Sequence, residues 1–303
     1  MTRRGTVLTE PAWWARAAAH RERVGAITGP HRQRVRRGES HPVLDFLFTY
    51  YSHRPSRLER WHPGPGLVLA GPSADAYLRL PGHRRGDDGV LLDPAAFGER
   101  TRRTAGFVRD LLAATASRPP RLGCSGLHEW AMVYRKSGDV RHPDWPLRLG
   151  AAGTDAVLES LPVECTHHDA FRFFTPEARP RNAVQPGRED QVALEQPGCL
   201  HATMDLYKWA YKLDPACPSE LVADCLELAV AAREVDMRAS PYDLTALGYD
   251  PVRIETPSGR AEYAAAQAGF AERAAPLRQR LIELCDTLLT GRDCVGPRGT
   301  SVP

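Results

Sequence analysis

The tightest constraint on the fold lies in the last third of the chain, where two long stretches carry apolar residues at helical spacing. In the first, Leu221, Cys225, Leu228, Ala232 and Val235 recur every three or four residues, with Ser219 as a start signal and Arg238 near the end. The second runs from Glu262 to Leu289, after a polar loop. Helices with one apolar stripe must bury it against other elements, which predicts a helical core. Upstream, Thr9 before Pro11 opens a helix to about Gly29, because proline is tolerated in a first helical turn. The apolar run from Pro42 to Ser52 suits a buried helix, and Asp93 before Pro94 opens another to about Thr115. Residues 67–92 instead break into short apolar runs between glycines and prolines, which suits a hairpin or loop excursion. The expected fold is mainly α: one helical domain over 9–290 with a small β/loop excursion near 67–92, and flexible tails at 1–8 and 291–303.

Charge is uneven along the chain. The formal total of +3 conceals +7 in residues 1–60, +2 in 61–189 and −6 in 190–303. Either the basic segment, with Arg32, Arg34, Arg36 and Arg37, faces phosphates, or it pairs with acidic residues of the same fold. The helix from 219 to 238 offers such a partner, since Glu220, Asp224, Glu227 and Glu234 share one side and repel unless a cation faces them. Seven cysteines without a CxxC signal neither a disulfide framework nor a zinc ribbon. No apolar run has the roughly 18 residues of a membrane span, so the expected location is the cytoplasm, away from membranes.

Histidines mark where chemistry can sit, because all eleven lie at or before residue 201. His128-Glu129, His167-His168-Asp169 and His201 with Asp205 form three His/carboxylate groups. On a helix His201 and Asp205 share a face, which Lys208 and Lys212 continue as a solvated ladder. Ligands for iron or zinc would come from His128, His168, His201, Asp205, Asp224 and Glu227, although the Glu-x-x-His of dinuclear iron bundles is missing. Base-excision chemistry needs an aromatic slot, a carboxylate and backbone-binding arginines. Glu129, Asp169 and His168 supply the acid/base groups; Trp130, Tyr134, Phe171 and Arg172 supply the grip on the base. The other reading of those aromatic residues is plain core.

The segments HPVLDFLFTYYSHRP, CSGLHEWAMVYR, CTHHDAFRFFTPEARPRN, EQPGCLHATMDLYKWAYKL and DMRASPYDL resemble actinobacterial proteins labelled 3-methyladenine DNA glycosylase, over about residues 10–289. The resemblance implies a DNA N-glycosylase-like hydrolase that removes alkylated purines in repair or self-resistance. Its partner is DNA and it needs no cofactor. The hairpin-Gly/Pro-Asp pattern of the best-known helical glycosylases is absent. Two alternatives remain open: a metal-dependent oxygenase acting on a small molecule, with a dinuclear iron site as one form, and a non-catalytic helical binding protein.

Overall fold

The structure, a computed structural model, describes residues 5–136 and 142–291. It is mainly α, with 57% helix and 6% strand. Near its N-terminus lies the long helix α1 (Glu10–Arg37), followed by the one-turn helices α2 (Phe46–Thr49) and α3 (Pro55–Leu58). The β excursion holds strands β2 (Leu67–Leu69), β3 (His83–Gly86) and β4 (Gly89–Leu92); β1 (Thr6–Leu8) precedes α1 and completes the sheet in the order β1-β2-β4-β3. β1 runs parallel to β2, and β3 and β4 form a hairpin in which Arg84 faces Leu91.

The main body follows. It comprises α4 (Glu99–Ala116), the short α5 (Leu127–Ala131), α6 (Gly150–Ser160), the short α7 (His168–Phe171) and α8 (Gln191–Leu194), then α9 (Leu200–Lys212), α10 (Ser219–Arg238) and α11 (Pro257–Thr290). α9 and α10 pack side by side, and α11 lies against α4, α9 and α10. One apolar cluster extends from Val24 of α1 to Leu288 of α11; a smaller one, with Trp13, Trp61 and Leu69, seats the sheet. α9 is the central element: every residue from Leu200 to Ala210 is buried. Charged side chains on such a helix must find partners inside the protein.

Several expectations need correction. Residues 6–8 are strand rather than tail, held by the pairing Val7 to Val68. α1 passes through Pro30 and ends only at Gly38, which has a φ of 66° that glycine adopts without a Cβ penalty. Contacts from Arg32 to Glu59 and from Arg34 to Asp45 anchor the extra turns. The apolar segment after Pro42 is helical for a single turn; the Asp45 side chain ahead of it accepts from the upstream His41 N–H and makes no capping bond to the turn itself. Asp93 caps a short 3-10 turn, and α4 starts six residues later at Glu99. The C-terminal tail expected at 291–303 lies, beyond Gly291, outside the described residues. Among the described residues no helix is long and apolar enough to cross a membrane.

Candidate functional site

α9 places His201, Asp205 and Lys208 on one face, at i, i+4 and i+7. The solvated ladder expected there does not form: relative exposures are 5%, 0% and 9%, and only Lys212 reaches the surface. Asp205 sits at the centre of a buried group. Lys208 ion-pairs with its Oδ2, the Tyr51 hydroxyl donates to Oδ1 at 2.9 Å, and His167 Nε2 lies 3.3 Å from Oδ2. His167 Nε2 is also 3.7 Å from Glu195 Oε2. Toward the surface, Lys208 reaches Asp169 at 3.2 Å and Arg172 closes on Asp169 at 3.2 Å.

The hydrogen-bond accounting in this group does not close. Among the described residues His167 Nδ1, His167 Nε2 and Glu195 Oε1 are buried without a hydrogen-bond partner, so the short His167–carboxylate distances are not ordinary N–H···O bonds. Buried polar atoms are rarely left in that state. His167, Glu195 and Asp205 offer ligand atoms that all lie within 4.8 Å of one another. Metal–ligand bonds of about 2.0–2.2 Å separate tetrahedral ligand atoms by about 3.4 Å, which the 3.3 and 3.7 Å separations match. Burial would raise the Asp205 carboxyl, yet Lys208 and His167 hold it well below its ordinary range. Burial pushes the Glu195 carboxyl up, and the pull of His167 does not fully offset it. Arg278, also buried, feels Glu195 but has no carboxylate within 4.0 Å among the described residues. Glu195 is thus a buried carboxylate short of positive charge.

A second group adjoins the first through His201, whose ring centroid is 5.2 Å from that of His167 and 4.5 Å from that of His128. His128 Nε2 is 2.9 Å from Asp236 Oδ1 but, like His167 Nε2, makes no hydrogen bond of ordinary geometry among the described residues; Arg233 bridges Asp236 at 3.1 Å and Glu129 at 2.6 Å. The Tyr263 hydroxyl donates to Asp236 at 3.4 Å. On its other side, His128 Nδ1 lies 3.6 Å from Cys124 Sγ. His128, His201 and Asp236 also converge within 4.8 Å. Here Asp236 is already matched by Arg233 and by His128, which its carboxylate holds protonated against the cost of burial. His201 is pushed down to about 3 by burial and by His128, so it is neutral.

The expected site residues therefore separate. His128, His201 and Asp205 enter the two buried groups; His168 does not, its Nδ1 meeting Pro186 O at 3.0 Å. Asp224 and Glu227 face away and are bound by Arg23 at 2.8 and 2.6 Å, with Arg280 also on Asp224 at 2.8 Å, so they are not ligands. Glu129 is tied to Arg233, and Asp169 to Lys208 and Arg172. Trp130 and Tyr134 are core residues whose polar tips bond Ala239 O at 2.9 Å and Glu159 at 2.6 Å, so they form no open aromatic slot. Phe171 is buried against Phe174, with Arg172 outside it. Arg32 and Arg34 pair within the fold, whereas Arg36 and Arg37 are exposed at the end of α1. Sequence reasoning missed His167 as the inward member of its His-His pair, and also Glu195, Arg233 and Asp236. Arg233 and Asp236 were recoverable: they continue the buried stripe of α10 through Ala229 and Ala232. Glu195 follows a one-turn helix and carried no periodic signal. Comparison with profiles of known protein families, with curated proteins and with solved structures returns no match.

Proposed function

We propose that the protein is a metal-dependent enzyme whose ion is held by His167, Glu195 and Asp205. The observation that carries this reading is the convergence of these three buried groups with both His167 nitrogens and Glu195 Oε1 unbonded among the described residues. One imidazole and two carboxylates suit zinc or iron(II). Such an ion would polarise a bound oxygen or activate water. The residues around it have separate tasks. Tyr51 fixes Asp205 through its hydroxyl, Lys208 neutralises the remaining negative charge, and the Lys208–Asp169–Arg172 chain links the group to the surface. His201 stands beside the ligands as a neutral ring, which burial and His128 keep from taking up a proton.

The test is a thermal-shift series on chelator-stripped protein. Binding at 100 times the dissociation constant stabilises a fold by about 2.7 kcal/mol, a shift of several degrees at this chain length. Zinc or iron(II) is expected to raise the melting temperature, and EDTA to reverse the gain. A melting temperature indifferent to zinc, iron(II) and manganese overturns the reading. Base excision, implied by the resemblance, requires free carboxylates beside an open aromatic slot; Glu129 and Asp169 are ion-paired and Trp130 is buried. The metal reading is therefore the better supported.

A further inference from the structure

Cys124 is the one cysteine among the described residues that is partly exposed; Cys165, Cys199, Cys217, Cys225 and Cys285 are buried. It stands just before α5, and Ser125 and Gly126 turn the chain with φ of 48° and 71°. This turn sets Cys124 four residues ahead of His128 and its Sγ 3.6 Å from His128 Nδ1. His128 Nε2 in turn meets Asp236 Oδ1 at 2.9 Å, and Asp236 is fixed by Arg233 and Tyr263. Thiol, imidazole and carboxylate thus follow one another in the order that activates a nucleophile. None of the three is a ligand in the metal group proposed above, so this site goes beyond that reading.

The space beside the thiol limits what it can meet. Cys124, His128, Thr166, Gln196, His201 and Gln267 are among the walls of a cavity of about 10 Å³. That volume admits one water-sized molecule; drug-sized ligands need about 300 Å³ or more. Gln267 is 1% exposed, and its Oε1 has no hydrogen-bond partner among the described residues although its Nε2 donates to Gly198 O at 2.8 Å. An acceptor left open in so small a space suits a compact molecule that donates hydrogen bonds.

We propose that Cys124 is a peroxide-reactive thiol, activated by His128 and Asp236, and that the narrow space beside it favours hydrogen peroxide over bulky hydroperoxides. The Cys124 thiolate attacks one peroxide oxygen, forming an S–O bond as the O–O bond breaks. The leaving oxygen takes the proton of the His128 imidazolium and departs as water. Sulfur is oxidised to sulfenic acid, peroxide is reduced, and His128 regains its proton from solvent. Gln267 Oε1 accepts a hydrogen bond from the entering peroxide. Partial exposure, with His128 set against the sulfur, makes oxidation at Cys124 site-selective.

Full-length protein is exposed to hydrogen peroxide or to cumene hydroperoxide, with and without EDTA, and sulfenic acid is trapped with dimedone and located by peptide mass. Labelling at Cys124 is expected to be at least about tenfold faster than on free cysteine and at least about tenfold faster with hydrogen peroxide than with cumene hydroperoxide. It should persist in EDTA, slow in Gln267→Leu and vanish in Cys124→Ser. Reaction of Cys124 no faster than free cysteine, or equal reaction with both oxidants, overturns the proposal. Rapid labelling in EDTA separates this chemistry from the metal centre, because the thermal-shift result stands or fails independently of it.

Discussion

α10 carries two arginine–carboxylate assemblies on opposite faces, and the contrast between them shows what burial does to the same chemistry. On the outer face Arg23 bridges Asp224 and Glu227 at 2.8 and 2.6 Å, flanked by Arg16 on Glu220 at 2.7 Å. On the inner face Arg233 bridges Glu129 and Asp236 at 2.6 and 3.1 Å. The distances are alike, yet side-chain exposure is 35% for Arg23 and 1% for Arg233. Water screens the outer pairs, so they fasten α1 to α10 with little net energy. The inner pairs have lost their hydration, and their main effect is to hold His128 and Asp236 in place; removing one partner strands a charge in the core. The basic start of the chain is thus consumed partly by the acidic helix and partly by Glu59 and Asp45.

The sharpest way to break this contrast is Arg233→Ala, which removes the guanidinium that Glu129 and Asp236 share. A loss of about 4 kcal/mol is expected in urea denaturation; a loss below 1 kcal/mol would make the inner face no different from the outer. Lowering the pH comes next. Burial pushes His53 down to about 4 and His62 and His201 down to about 3, so all three stay neutral in the fold but take up protons when the chain unfolds below pH 6.5. Their stabilisation is complete above that value and is lost as pH falls toward their folded values. Asp214, raised to about 6 by burial, works in the opposite sense, since its folded form binds a proton earlier than the unfolded chain. His128 and His167 are raised, so their contributions are already complete below pH 6.5. Metal-stripped protein should therefore lose about 3 kcal/mol between pH 6 and 4.5, with net proton uptake on unfolding. A flat stability profile across that range contradicts the neutral buried histidines. The smallest effect belongs to Arg23→Ala, at about 1 kcal/mol or less and fading in 1 M salt. A salt-independent loss of several kcal/mol would mean that the outer face is not screened.

Much of the fold was legible because its signals are local. The apolar stripes of α10 and α11, the proline-tolerant start of α1 and the glycine-broken excursion each follow from a few neighbouring residues. The reciprocal charges of α1 and the acidic row were also readable, since like charges on one helix face require a partner. The site was only half legible. Helical geometry put His201 and Asp205 on one face, but whether that face meets water depends on α10 and α11 packing around α9. His167 and His168 are adjacent in sequence, and only the direction of the chain entering α7 sends the first inward and the second toward Pro186. Glu195 depends on a loop held by Arg118, which donates to its carbonyl at 2.8 Å from the far end of α4. Such placements come from contacts between residues distant in sequence, and no periodicity encodes them.

The central claim is that an ion joins His167, Glu195 and Asp205, and the metal content of reconstituted protein tests it most directly. Wild type, His167→Ala and His168→Ala are loaded with zinc or iron(II), passed through gel filtration and analysed for metal per chain. The account predicts about one ion per chain in wild type and in His168→Ala, and near zero in His167→Ala. Wild type that retains no ion, or His167→Ala that retains as much as His168→Ala, would contradict it.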